Sequence, residues 1–301
     1  MPQRTSLADA DCAIAQALDV VGDWWTLLIV RDAARGVHRF DALQHELGVS
    51  RKVLTERLRL LVDADVLSRE PYQERPARYE YRLTPRGRAL LPVLIALQDW
   101  GDAWVTGDGT TMATAQESSH EAARVHALVG TRVPELSLPF HTGGEHDPVA
   151  AGTPYTVLYF FPGAYARQES YPPDWAGIPG ARGCTLESCT YRDQLAEFTA
   201  AGAAVHGVST QRPDEQRAFA EAERLRFPLL SDAGLELTAA LRLPTFRAAG
   251  ISRLKRLTLV VDRDRTVREA LYPITDIEQS VRAALAVVRA AAGAGTAGAA
   301  G

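Results

Sequence analysis

Cysteine is almost missing from this sequence: 301 residues contain three, at positions 12, 184 and 189. So few thiols exclude a disulfide-stapled secreted scaffold, which needs several pairs to make up for a small core. No apolar run approaches the roughly 20 residues that span a bilayer. The start MPQRTSLADAD is polar and acidic and has no secretory apolar stretch, so a cytoplasmic chain with no membrane partner is expected. An excess of one charge is lacking too. The formal net charge is −4, which leaves no global footprint for nucleic acid, so DNA contact has to come from a local basic patch. No internal repeat is visible. What is present is globular material, 46% apolar and 23% charged, in a chain too long for one core of ordinary size, which implies two domains.

Residues 8–105 read as helices with one hairpin. ADCAIAQALDVVG and WWTLLIVRDA place apolar residues at helical spacing, and RFDALQHELG stops at Gly48. Ser50 offers a cap for RKVLTERLRLLVDA, in which Leu54, Leu58, Leu61 and Val62 share a face. LSREPYQERPARYEYRLTPRG alternates in YEYRL and is broken by Pro76, which predicts two strands around a tip, and RALLPVLIALQDWGDAW predicts a closing helix. Helix, tight turn, helix and hairpin make a winged helix-turn-helix. Between Arg51 and Arg88, ten basic residues face six acidic ones, the local excess that the whole chain lacks. A recognition helix offers its N-terminal residues to base edges while flanking cations hold phosphates. The candidates are Ser50, Arg51, Lys52, Thr55 and Arg59 on the helix, with Arg75 and Arg78 at the hairpin.

The chain then changes character. Thr, Gly, Ser and Ala dominate its next stretch, which reads as a linker over 106–131. Beyond it, PYTVLYFFP, AAVHGVST and RLTLVVDRD are short β-branched runs separated by helical patterns such as CTYRDQLAEFTAAG, which predicts an open, mainly parallel sheet flanked by helices over 132–290. The Ala/Gly-rich end, 291–301, has no face to bury and is expected to be a disordered tail. The fold class is therefore multidomain, α+β followed by α/β.

Two of the three thiols lie in GARGCTLESC, at positions 184 and 189. A helix is expected to begin near Cys184, where free backbone N–H groups and the positive dipole end favour a thiolate, which makes Cys184 a candidate nucleophile. Helical geometry separates the Cα atoms of residues five apart by about 8.7 Å, whereas disulfides rarely span more than about 7 Å, so bonding this pair requires the helix to unwind. Two thiols in six positions of a chain so poor in cysteine argue against chance core residues. A structural zinc site wants four ligands and no second pair is available, so neither a metal nor a cofactor is expected. Thioredoxin-like reductants use a two-residue gap rather than four. Thiol peroxidation fits best.

Two family resemblances add to this reading. CAIAQALDVVGDWWTLLIVRDA, RFDALQHELGVSRKVLTERLRLL and YEYRLTPRGRALLPVL, in that order, resemble the HxlR-type winged-helix transcriptional regulators over residues 10–104. Trp24 departs from the basic residue common there. The resemblance implies DNA as a partner and a homodimer on pseudo-palindromic sites. It also implies a redox sensor at Cys12, since several members sense oxidants through a cysteine near the start; packing on the first helix is the plainer role for that residue.

From about Val133 to Arg289 the chain resembles a thioredoxin-fold peroxiredoxin of the bacterioferritin-comigratory or PrxQ branch: VPELSL, VLYFFPGA, GCTLESCTYRDQL, VHGVST, FPLLSD and RLTLVVDRD carry it. The implied roles are Cys184 as the peroxidatic cysteine, Cys189 as the resolving cysteine, and Arg256 as the arginine that stabilises the thiolate and the peroxide oxygens, with a hydroperoxide as substrate and thioredoxin or a similar dithiol as reductant. Gly177 and Ala181 stand where the family carries proline and a threonine or serine, so the hydroxyl that orients the peroxide is missing. The inserted GAYARQESYPPDWAGIPGARG, with Tyr171, Trp175 and Pro179, is expected to reshape or cover the pocket. A slow peroxidase, or one tuned to signalling, fused to a DNA-binding regulator is the combined expectation; the alternatives are a peroxidase tethered to DNA, or a regulator whose second half has lost chemistry.

Overall fold

A computed structural model describes residues 7, 11–105 and 112–297. The chain forms two compact units, Met1–Leu94 and Ile95–Gly301. In the first, helices α1 (Ala13–Val21), α2 (Trp24–Ala34), α3 (Phe40–Leu47) and α4 (Arg51–Asp63) are followed by strands β1 (Leu67–Gln73) and β2 (Arg78–Leu83), a one-turn α5 (Pro85–Arg88) and the start of α6 (Leu91–Trp104). Gly48 closes α3 at φ 63°, and the Ser50 hydroxyl accepts from the Val53 N–H at 3.3 Å to open α4. This tight turn makes the helix-turn-helix. β1 and β2 pair antiparallel from Leu67↔Leu83 outward and form the wing. Leu54, Leu58 and Leu61 are buried with Ile29, Val30 and Leu43, as the helical spacing requires.

The second unit begins within α6, which crosses the division. Residues 106–111, the start of the expected linker, lie outside the described residues, but 120–126 of that stretch form a helix, α7 (His120–His126), capped by Ser119. Ala122 and Val125 supply its buried face, and these apolar positions were hidden in the sequence among Ser, His and Arg. There follow β3 (Leu138–Pro139), β4 (Glu145–His146), β5 (Tyr155–Phe160), two short 3₁₀ turns, α8 (Cys184–Asp193), α9 (Leu195–Ala200), β6 (Ala203–Ser209), α10 (Pro213–Ala222), β7 (Leu229–Ser231), α11 (Glu236–Leu241), β8 (Thr245–Ala248), β9 (Ile251–Leu254), β10 (Leu257–Asp262), β11 (Val267–Leu271) and α12 (Ile277–Ala297). The helix α12 carries through seven positions of the expected tail; 298–301 lie outside the described residues.

The main sheet has the order β11-β10-β5-β6-β7. It is mixed rather than mainly parallel: β5, β6 and β7 run parallel, while β10 is antiparallel to both β5 and β11. A short turn through Asp262–Thr266 joins β10 to β11, and a connection that short forces antiparallel neighbours. Alternation along β5 sends Leu158 and Phe160 to one face, under α7 and α11, and Val157 and Tyr159 to the other, under α8, α9, α10 and α12. Among the described residues no single helix is long and apolar enough to cross a membrane.

Candidate functional site

Helix α8 starts at Cys184. Its N-cap, Gly183, sits at φ 101°, and a Cβ there would lie 2.4 Å from the Ile277 side chain and 3.7 Å from Arg256 Nη2. Only glycine allows both this backbone and this close approach. Cys184, Glu187, Ser188 and Tyr191 form the buried face of α8. That face is fixed to the sheet by Tyr159 and Ser188, whose hydroxyls lie 3.0 Å apart, by Tyr191 and Thr258 at 3.1 Å, and by stacking of Tyr159 on Tyr191.

Arg256 follows β9 and reaches this helix start. Its Nη2 lies 3.5 Å from Cys184 Sγ and donates to the Arg182 carbonyl at 3.0 Å, while Nη1 donates to Glu187 Oε2. The arrangement places Cys184, Arg256 and Glu187 together. Glu187 received no role in the sequence reading, although its position three residues after Cys184 puts both on one helical face. The other oxygen of its carboxylate, Oε1, is buried without a partner.

Electrostatics at the thiol is a contest. Burial pushes the Cys184 thiol up, and the Arg256 cation and the Gly163 backbone N–H pull it down against the Glu187 carboxylate, with a net upward direction. Burial thus opposes what the helix start and the cation favour, since Cys184 has only 2% of its surface exposed. Glu187 is raised to about 7, first by burial, with Arg256 opposing. The loop bearing Gly163 is held by Gln211, whose side chain accepts from the Ala164 N–H and donates to its carbonyl, both at 2.8 Å.

A pocket of about 530 Å³ opens onto Cys184, lined also by Gly163, Tyr171, Trp175, Ala181 and Arg182. Tyr171 and Trp175, from the inserted segment, are thus walls of the pocket. Pro179 is not among its lining residues; its carbonyl accepts from the Ala113 N–H at 2.9 Å. Ala181 is wholly buried and offers its own carbonyl to the Cys184 thiol at 3.5 Å, so no hydroxyl occupies that position.

Cys189 lies on a different side of α8. Its thiol donates to Glu223 Oε2 at 3.3 Å, and burial followed by that carboxylate pushes it up to about 11. All three cysteines are free. Cys12 is exposed at the cap of α1. Among the described residues no group of three or more His, Cys, Asp or Glu side chains is placed to hold a metal.

In the first unit, Arg51, Lys52, Thr55 and Arg59 are exposed on α4, and Arg75 and Arg78 are exposed at the wing. Ser50 is occupied in capping, and the Thr55 hydroxyl donates to the Arg51 carbonyl at 2.7 Å. Arg51 lies over the Phe40 ring and 3.3 Å from Asp41, and Arg59 pairs loosely with Asp63 at 3.5 Å. Arg57, counted in the basic excess, turns inward to Asp23 at 3.0 Å.

Comparison with known proteins assigns a family to each half. Residues 20–108 match the HxlR-like helix-turn-helix model, and 129–270 match the AhpC/TSA family model. The chain belongs to both families, one in each half. It is 45% identical over 137 residues to an uncharacterized HTH-type transcriptional regulator of Mycobacterium bovis, a match covering 45% of this chain and 72% of that protein. It is also 31% identical over 162 residues to a candidate peroxiredoxin of Mycobacterium tuberculosis, covering 54% of this chain and 96% of that protein. The crystal structure of the peroxidoxin BcpB from Mycobacterium tuberculosis is similar at 32% identity and a TM-score of 0.46, covering 54% of this chain and 96% of that one.

Proposed function

We propose that this protein is a redox-responsive transcriptional regulator whose AhpC/TSA half reduces hydroperoxides through Cys184. The single observation that carries the chemistry is the Arg256 guanidinium, 3.5 Å from a thiol at a helix start that opens into a pocket. The Cys184 sulfur attacks one oxygen of ROOH; the S–O bond forms as O–O breaks, and the alkoxide leaves as ROH with a proton. Arg256 stabilises both the thiolate and the charge gathering on the departing oxygen. Cys189 then attacks the sulfenic sulfur, the disulfide forms, and water leaves. A dithiol such as thioredoxin returns the two electrons.

Until that second step, burial and then the Glu223 carboxylate push the Cys189 thiol up to about 11, on another side of α8 from Cys184. The arrival of Cys189 requires the start of α8 to unwind, because the intact helix holds the pair about 8.7 Å apart. In this reading the protein acts in the cytoplasm on DNA, through Arg51, Lys52, Thr55, Arg59, Arg75 and Arg78, with Ser50 setting the helix start. The working form is a homodimer, which the exposed apolar side chains of α6, Val93, Leu97, Trp100 and Trp104, support.

The test is peptide mapping after a brief peroxide dose, paired with salt-matched DNA binding. A Cys184–Cys189 disulfide is expected, with a several-fold shift in DNA dissociation constant that Cys184→Ser abolishes. Equal affinity of reduced and oxidised protein would overturn the switch. The buried Ala181 in place of a hydroxyl favours a second reading, a slow or silent peroxidase half; absence of Cys184 sulfenylation after a stoichiometric pulse would establish it. A link from Cys184 to Cys12 instead would make Cys12 the partner thiol.

A further inference from the structure

The stretch between α6 and the AhpC/TSA sheet is stitched to the loop that leads into Cys184. The Ala113 N–H donates to the Pro179 carbonyl at 2.9 Å, and Ala113, 1% exposed, is packed with Trp175, Ala181 and Phe246. Gly180 leaves no room between the two segments: a Cβ on it would stand 3.0 Å from the Thr114 Cβ and 3.1 Å from the Ala113 carbonyl carbon. The second stitch is ionic. Lys255 Nζ, fully buried, lies 2.9 Å from both oxygens of Glu121 on α7 and 3.5 Å from the Thr114 carbonyl, and the Tyr272 hydroxyl also donates to Glu121. Lys255 is bonded in sequence to Arg256.

We propose that residues 112–121 are a latch held down by the reduced thiol loop and released when the Cys184–Cys189 disulfide forms. The inference rests on the switch reading and supplies its moving part. Disulfide formation, in which Cys189 displaces the sulfenic oxygen as water, requires the first turn of α8 to come apart. That turn is continuous with Ala181 and Arg182, whose carbonyls hold the Cys184 thiol and Arg256 Nη2. Two residues upstream of Ala181, the Pro179 carbonyl holds the latch. A shift of the loop that breaks the first pair of hydrogen bonds pulls on the last. A well-packed cluster such as Ala113, Trp175 and Ala181 repacks between discrete arrangements and does not stretch.

The far end of the path is α6. Its Asp99 accepts from Thr245, its Gln98 donates to the Leu243 carbonyl at 3.2 Å, and its Asp102 is gripped by Arg124 of α7 at 2.8 and 2.9 Å. Release of α7 and of the β8–β9 hairpin would therefore free a helix that runs on without a break into the DNA-binding unit.

Amide hydrogen exchange on the full chain, reduced and oxidised, tests this together with DNA affinity. Exchange at residues 112–121 is expected to rise at least tenfold on disulfide formation while β10 stays protected, and Cys189→Ser, which stops at the sulfenic acid, is expected to show no rise. Ala113→Asp, which unseats the latch in either state, is expected to give the reduced protein the DNA affinity of the oxidised wild type. Unchanged exchange at 112–121 alongside a redox shift in DNA affinity would overturn the latch and leave the switch standing. Raised exchange with redox-blind DNA binding would support the latch and sink the switch. Should Ala113→Asp fail to fold, the wild-type exchange comparison decides alone.

Discussion

Glu187 shares the Arg256 guanidinium with the Cys184 thiol. Its carboxylate opposes the Cys184 thiolate and is itself raised to about 7 by burial. Glu187→Gln removes that negative charge, and the pH midpoint of Cys184 alkylation is expected to fall by about one unit, a change of about 1.4 kcal/mol. A rise instead would show that the side chain matters mainly by aiming Arg256. The same variant has a stability consequence whose sign follows from linkage. The folded state holds the Glu187 proton more tightly than the unfolded chain, so wild type loses stability relative to Glu187→Gln as pH climbs from about 4.5 through 7, by up to about 3 kcal/mol at pH 7.5. Denaturation of both proteins at pH 5 and 7.5 measures the gap, and a gap that does not widen with pH refutes the assignment.

At the scale of elements, helix starts decide both sites, and one glycine and one serine carry them. Gly183→Ala forces a side chain into a left-handed backbone and against Ile277; a loss of about 1–3 kcal/mol and a displaced Cys184 are expected, read as slower sulfenylation. Ser50→Ala deletes the cap of α4 and is expected to cost about 1 kcal/mol in thermal unfolding of the first unit. These starts were legible in the sequence: Gly48 and Ser50 are stop and cap signals, and GCTLESC named both thiols of α8. Arg256 was legible only through family resemblance, since nothing local in KRLTLVVD points to a residue 72 positions upstream. Helix α7 was not legible, because its two buried apolar positions are flanked by polar residues and its worth depends on Lys255, far away in sequence. Nor was the antiparallel placement of β10, because a run of apolar β-branched residues is the same forwards and backwards. The burial of Cys184 was not legible for a related reason: a helix start can be read from sequence, whereas burial depends on everything packed around it.

For the whole molecule, DNA binding should behave as phosphate neutralisation by cations that protrude. Combined replacement of Lys52, Arg75 and Arg78 by Ala is expected to weaken binding uniformly across sequences and to flatten the slope of log K against log salt by about 0.9 for each phosphate no longer neutralised. A change confined to one base position would argue instead for direct reading by these side chains. The Lys255–Glu121 pair bears on any attempt to study the halves apart. A fragment beginning at Val133, where the family resemblance starts, leaves out Glu121 and Thr114, to which the Lys255 ammonium is bonded, and strips the apolar face of α7 from the sheet. Whoever excises the AhpC/TSA half at its apparent border would be assaying a wounded protein and could mistake the injury for inherent sluggishness; the scissors belong upstream of residue 112.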